Sequence, residues 1–289
     1  MKCLTALNPK STLALRYDAT GFRNNWGKTE DATKYRREAE ELSALINEKM
    51  WDPQRKFYFD LTVEGRQSTV KTIAAYWTLL AGVASVVQAD ALAAELRDPS
   101  TFGRKHRVPT VPADQKGFDP AGGYWQGAVW SPTDTMVIRG LERYKKHDLA
   151  AEIALEHLER VAQVFRATGT VWENYAPDAV TPGKPAKGDF VGWTGIVPIL
   201  YFIEYRIGLK ADAPNNRLTW ALTSARRCGC ERFRFAGHTA SLVAEPNDAQ
   251  PDTATVTVAS DGVFDLRVER AGKQWDFSVQ KGNNEFVLK

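Results

Sequence analysis

Apolar side chains recur at helical spacing from Thr29 to Met50 (TEDATKYRREAEELSALINEKM). Thr29 stands in the N-cap position and acids fill the first turn, where the helix dipole favours them. The pattern predicts an amphipathic helix. Trp51-Asp-Pro-Gln breaks it, and Phe57-Tyr-Phe-Asp reads as a short extended piece. Val70 to Val87 (VKTIAAYWTLLAGVASVV) is apolar around its whole circumference, the mark of a buried helix, and a short helix near Ala89 to Leu96 follows. Arg97 to Pro132 holds five prolines and five glycines without a sustained period, which predicts a loop of functional length. Helices resume at about Thr133 to Lys145, capped by Thr133 or Ser131, and at Asp148 to Arg166, close enough in sequence to be antiparallel neighbours. Trp193 to Ile207 predicts one more apolar helix, ending at Gly208.

From about Leu218 the period changes to two. Thr253 to Val258, Val263 to Val268 and Gln274 to Val279 alternate apolar and polar residues, and Ser-Asp-Gly and Ala-Gly-Lys turns separate them, as in a β meander. The chain therefore reads as mainly α, with helical hairpins followed by a small antiparallel β sheet. Its organisation is an atypical segment over 1–25, a helical region over 26–217 and a small β-sheet region over 218–289.

The 289 residues, 43% of them hydrophobic, are enough to bury a large core. A formal charge of +3 is too small to argue for nucleic acid. Cys3, Cys228 and Cys230 lack the second ligand pair of a structural zinc site and read as reduced thiols. The four histidines, His106, His147, His157 and His238, show no metal-ligand spacing, so neither a metal nor another cofactor is expected. No apolar run approaches a membrane span or a signal peptide, which makes a cytoplasmic protein the expectation.

The candidate chemistry lies in two loops. Gly122-Gly-Tyr-Trp-Gln-Gly-Ala-Val-Trp130 sets aromatics and glycines just before a helix, and Val171-Trp-Glu-Asn-Tyr175 places one carboxylate between two aromatics. Sugar rings present apolar C–H faces that stack on aromatic planes, and a carboxylate beside such a platform can move a proton at a glycosidic bond. Glu173 is the candidate general base; the alternative is a loop glutamate that caps a helix or pairs with arginine. Trp125, Trp130, Trp172 and Trp193 are candidate sugar platforms or core packing, and Tyr124, Gln126 and Asn174 candidate hydroxyl partners. Asp119, before Pro120, is a turn residue or a sugar ligand, Asp134 reads as a first-turn capping residue, and Asp189 as a cap or a cleft residue.

GGYWQGAVWSPTDTMVIRGL, TGTVWENYAPD, DFVGWTGIVPIL and RLTWAL, in that order, resemble the C-terminal part of six-hairpin (α/α)6-barrel glycoside hydrolases, of the trehalase-like and glycoside hydrolase family 63-like group that includes the processing α-glucosidases and the mannosylglycerate hydrolases. The resemblance runs from about Trp26 to Leu222 and implies a partial (α/α)6 toroid. It also implies inverting hydrolysis of a small α-glucoside or α-mannoside. There a carboxylic acid protonates the leaving oxygen and a carboxylate roughly 6.5–9.5 Å away activates water. Glu173 matches the family's base.

The family's acid is an Asp in a motif ahead of the helix at Thr29, and Asp18, in residues 1–25, stands in a different context. Fewer helices can be read than six hairpins require. The resemblance thus implies a truncated C-terminal part, weakly active or inactive alone, whose partners are a small glycoside and the N-terminal half of the barrel. The alternative function is a non-catalytic carbohydrate-binding or assembly module.

Overall fold

The computed structural model describes residues 29–247 and 250–289. The atypical segment over 1–25, with Cys3 and Asp18, lies outside them. The chain forms two compact units, one ending at Pro198 and one spanning Ile199–Lys289.

In the first unit, helix α1 (Thr29–Met50) has the expected bounds and runs into a two-residue ribbon, β1 (Trp51–Asp52) against β2 (Phe57–Tyr58). Phe57, Tyr58 and Phe59 are buried, and Phe57 stacks on Phe102 at 5.9 Å while Tyr76 meets the same ring edge-on at 5.6 Å. Tyr58 donates its hydroxyl to Asn47 of α1 at 2.5 Å, so a polar bond fixes the helix over this aromatic core.

The single helix expected over Val70 to Val87 is not formed. A 3₁₀ turn (Ile73–Tyr76) leads into a short α2 (Trp77–Leu80), the chain turns at Gly82, and α3 (Val86–Glu95) starts afresh. A capping box restarts it. Ser85 Oγ accepts from Gln88 N and Gln88 Oε1 accepts from Ser85 N, which satisfies two amides that a continuous helix would have bonded internally. Val86 and Val87, read as core, sit 69% and 76% exposed in the first turn of α3.

Helices α4 (Ser131–Arg143) and α5 (His147–Thr168) form the expected hairpin. Neither Ser131 nor Thr133 caps α4. Trp130 takes the N-cap position without a side-chain bond, and Thr133 Oγ1 donates to its carbonyl. α4 also packs on α2 at Gly140, where a Cβ would lie 2.7 Å from Leu79 Cβ. Helix α6 (Gly192–Tyr201) begins in this unit.

In the second unit α6 gives way to a π-helix (Phe202–Ile207) that stops at Gly208 in the left-handed region, the predicted end. Strands then begin at Leu209, earlier than the expected sheet. They are β3 (Leu209–Asp212), β4 (Arg217–Ala221), β5 (Cys228–Phe235), β6 (His238–Asn247), β7 (Gln250–Ser260), β8 (Phe264–Arg270), β9 (Lys273–Val279) and β10 (Gly282–Leu288). The single small antiparallel sheet is corrected to two four-stranded sheets, β10-β7-β6-β5 and β3-β4-β8-β9, with β4 and β8 parallel. Inward residues of both, including Leu242, Val256, Leu218, Trp220 and Leu266, form one buried core. Trp220 is fully buried, and its indole N–H donates to Ile207 O at 2.9 Å. Cys228 and Cys230 are free thiols on β5. Among the described residues no helix is long and apolar enough to cross a membrane.

Two measurements check this packing. Gly140→Ala gains about 1 kcal/mol of helix propensity but places a methyl within the radius of Leu79, an overpacking that costs about 1–3 kcal/mol. The expected result is a lowered urea midpoint; a raised midpoint refutes the close approach. Asp60 is 8% exposed, and burial pushes its carboxyl from 3.8 up to about 6. Because the folded state holds this proton more tightly, the stability it contributes is fully present below pH 3.8 and lost as pH rises through about 6. Asp60→Asn should therefore stabilise the protein at neutral pH, by roughly 1–2 kcal/mol after discounting for water at the site, and flatten the pH dependence of stability over that window.

Candidate functional site

The two loops singled out in the sequence meet in the first unit. Isolated bridges lace them together in place of a sheet: Val129 pairs with both Pro109 and Tyr175, Tyr175 also with Pro182, Trp172 with Gly188, and Gly122 with Lys184. Val129 and Tyr175 exchange two backbone hydrogen bonds of 2.9 and 3.0 Å, which fixes the aromatic loop against the glutamate loop.

The aromatic loop is wound tightly on itself. Asp119 N donates to Gln126 O at 2.7 Å, and Asp119 Oδ1 accepts from Ala121 N at 2.8 Å, so this carboxylate serves the turn. Gly127 lies at φ 148, with Asp119 O only 2.6 Å from where a Cβ would stand, and only glycine fits both the torsion and the space. Between them a 3₁₀ turn (Tyr124–Gln126) presents Tyr124, itself at φ 58, and Trp125.

The rings form a layered wall. Trp125 stacks on Trp130 at 4.5 Å and 5°, Tyr124 meets Trp130 edge-on at 4.8 Å, and Trp193 tilts against Trp130 at 6.1 Å. Trp130 is 2% exposed and its indole donates to Tyr124 O at 3.3 Å, so it is the buried underlayer. Trp193 is 40% exposed, backed by Phe190 at 4.6 Å. Half-buried Tyr124 and Trp125 and exposed Trp193 are the rings of this wall that a ligand can reach.

Glu173 stands at this wall. Tyr124 Oη lies 3.5 Å from its Oε1, Trp193 Nε1 donates to its carbonyl at 3.2 Å, and its N–H is held by Lys187 O at 2.9 Å. The Tyr124 phenol is pushed up, by desolvation first and then by the Glu173 charge, so it stays a neutral donor toward the carboxylate. The arrangement offers one carboxylate, one phenol and an aromatic surface.

Other expected site residues are placed differently. Trp172 packs against Val161, Val164 and Tyr175, and its indole donates to Thr168 Oγ1 at 3.0 Å, so it anchors the loop on α5 and does not join the ring stack. Asn174 is fully buried; its Nδ2 donates to Pro185 O at 3.2 Å, while Oδ1 finds no hydrogen-bond partner among the described residues. Gln126 is exposed and contributes its backbone to the turn. Asp189 accepts from Thr170 Oγ1 at 2.6 Å.

Asp134 is a correction. It lies in the first turn of α4 as read but does not cap it: it is fully buried, with Oδ2 2.8 Å from His157 Nδ1. The pairing of His157 with His106 was missed as well, since 51 residues separate them and nothing local marks either. Among the described residues no group of three or more His, Cys, Asp or Glu side chains could hold a metal ion.

Comparison with known proteins gives this geometry a family. The chain is 36% identical over 161 residues to a mannosylglycerate hydrolase of Thermus thermophilus, covering 53% of this chain and 35% of that protein. It is 30% identical over 179 residues to a mannosylglycerate hydrolase of Rubrobacter radiotolerans, covering 61% and 38%. The crystal structure of a glycoside hydrolase family 63 mannosylglycerate hydrolase from Thermus thermophilus in complex with glucose matches with a TM-score of 0.53 at 23% identity, over 67% of this chain and 43% of that one, a likeness of fold. The chain spans less than half the length of the curated relatives it matches. The family model for the mannosylglycerate hydrolase MGH1-like glycoside hydrolase domain matches residues 24–194, more than half of the chain and the stretch that carries both loops, and the chain belongs to that glycoside hydrolase family.

Proposed function

We propose that the chain carries the base side of an inverting glycoside hydrolase site acting on small α-glucosides or α-mannosides. The observation that supports this most directly is Glu173 beside the wall of Tyr124, Trp125, Trp130 and Trp193. A sugar laid on Trp125 and Trp193 brings its reacting carbon toward a carboxylate whose neighbouring phenol donates to it. Glu173 in the ionised form takes a proton from water as that water attacks the anomeric carbon, and inversion follows because the leaving oxygen departs from the opposite face. Trp172 holds the base-bearing loop, Asn174 stiffens it through Pro185, and Asp119 shapes the aromatic turn.

The resemblance puts the acid carboxylate in a motif ahead of α1, and residues 1–25 hold one aspartate, Asp18, in a different context. Loss of a general acid lowers the rate about 10²- to 10⁴-fold, so the chain measured by itself is expected to hydrolyse weakly or not at all while still binding sugar. Names of the relatives make mannosylglycerate and trehalose the first substrates to try.

The test measures sugar release and tryptophan fluorescence with trehalose, mannosylglycerate and simple α-glucosides and α-mannosides, for the natural chain, Glu173→Gln and Trp125→Ala. Glu173→Gln should remove whatever hydrolysis is present and leave binding within a few fold. Trp125→Ala should weaken binding about tenfold, or ~1.4 kcal/mol. Absence of any fluorescence response to every sugar overturns the reading. Saturable binding with no hydrolysis in the presence of a chain that supplies the acid favours a carbohydrate-binding or assembly module.

A further inference from the structure

Beneath the aromatic wall lies a polar cluster that the proposed reaction does not touch. His106 and His157 are 2% and 1% exposed, and Ser131 and Asp134 are fully enclosed. His157 Nδ1 lies 2.9 Å from His106 Nε2 and 2.8 Å from Asp134 Oδ2, the latter poorly aligned, and His157 Nε2 lies 3.0 Å from Ser131 Oγ. Enclosing a carboxyl and two imidazoles is costly, and apolar side chains of similar volume would cost less. Stability alone therefore gives no reason for the cluster.

Its reach suggests a different role. Ser131 directly follows Trp130, the underlayer of the ring wall. The His106 ring is bonded toward the Ala176 backbone, and the His106 backbone N–H donates to Pro177 O at 2.8 Å. The His106 and His157 rings lie 5.9 and 6.2 Å from the ring of Tyr175, two residues beyond Glu173. Tyr175 in turn exchanges backbone bonds with Val129 and accepts the Trp172 N–H on its hydroxyl. One buried cluster thus touches both chain segments whose outer sides form the site. Glu156 and Arg160, the charged groups of α5 nearest it, act on Asp134 and His106 from the same helix.

We propose that Ser131, Asp134, His106 and His157 form a positioning network, with His157 as its hub, that fixes Glu173 in register with Tyr124 and Trp130. The inference rests on reading Glu173 as the reacting carboxylate, and none of the four touches a reacting atom. Because His157 Nδ1 faces His106 Nε2 and His157 Nε2 faces Ser131 Oγ, one ring of α5 bridges three elements: the loop at His106, the first turn of α4 and the middle of α5. Burial holds the His106 imidazole well below its ordinary range, so it is a neutral ring at physiological pH.

The experiment combines imidazole ¹⁵N spectra with amide hydrogen exchange on the natural chain, His157→Phe, His157→Gln, Asp134→Asn and Ser131→Ala. In the natural chain His106 should show one protonated nitrogen and no titration between about pH 6 and 8. Asp134→Asn should change the His157 ring signals. His157→Phe should speed exchange at Glu173, Asn174 and Tyr175 by about tenfold while the strands of the second unit keep their protection, and His157→Gln should restore part of it. If His157→Phe does not fold, Ser131→Ala, which removes one hydroxyl, should still speed exchange at those amides. Unchanged exchange at 173–175 in the folded variants, or imidazole signals indifferent to Asp134→Asn, overturns the proposal. If exchange responds as expected while the natural chain ignores every sugar, the network stands and the sugar reading fails.

Discussion

Two hydrogen bonds between the backbones of Val129 and Tyr175 are the constraint on which the candidate site depends. Neither segment belongs to a sheet, and each is otherwise held by single bridges and turns. With the Gly122–Lys184 bridge, that pair brings a carboxylate at 173 beside rings at 124 and 130. A glycine at 127, a carboxylate spent on the turn at 119 and a tyrosine in the left-handed region serve the same purpose, which is to bring a short loop round sharply enough for Val129 to reach Tyr175. The positive torsions of Tyr124 and Gly127 fall in the aromatic loop, and strain of this kind is commonly held at functional sites.

The two carboxylates near this pair illustrate how environment assigns roles. Glu173 is half-buried, with a phenol and an indole N–H at its residue and the ring wall beside it. Asp134 is enclosed, and desolvation pushes its carboxyl up against the lowering effect of His157. A carboxylate that must take a proton from water needs contact with water, and one that must hold rings in place does not. The proposed division of roles follows this difference in exposure: the enclosed Asp134 as organiser, the half-buried Glu173 as the reacting group.

What the sequence made legible was the local chemistry. The helix over Thr29 to Met50 and the α4–α5 hairpin follow from period and short connections, and the stop at Gly208 from a residue free to turn left-handed. Lost were features decided by distant contacts or by a shift in phase. Cys228, Cys230, Phe233 and Phe235 line β5, but a register shift between Cys230 and Phe233 breaks the period of two, and the strand went unread. With β5 and β6 absent, the remaining strands looked like one meander, and the parallel pairing of β4 with β8 has no local signature. Val70 to Val87 misled for the opposite reason: apolar character was read as continuity, while the Ser85 and Gln88 capping box decided where a helix begins.

The site shows the same division. Glu173 and the aromatic segment were visible because glycines, aromatics and an acid lie within a few residues of one another. Trp172 was not separable from Trp125, since both flank candidate polar groups and only packing against Val161 and Val164 distinguishes an anchor from a platform. The stacking of Trp125 on Trp130 carries the argument one step further. A lone exposed indole would be free to rotate, whereas a ring seated at 4.5 Å and 5° on a buried neighbour presents one fixed face. Fixing that face before a ligand arrives removes an ordering cost from binding. On the proposed reading, a site built from one acid on a flexible side chain and a pre-set aromatic floor gains its precision from the floor, so the buried Trp130 would count for recognition as much as the ring above it.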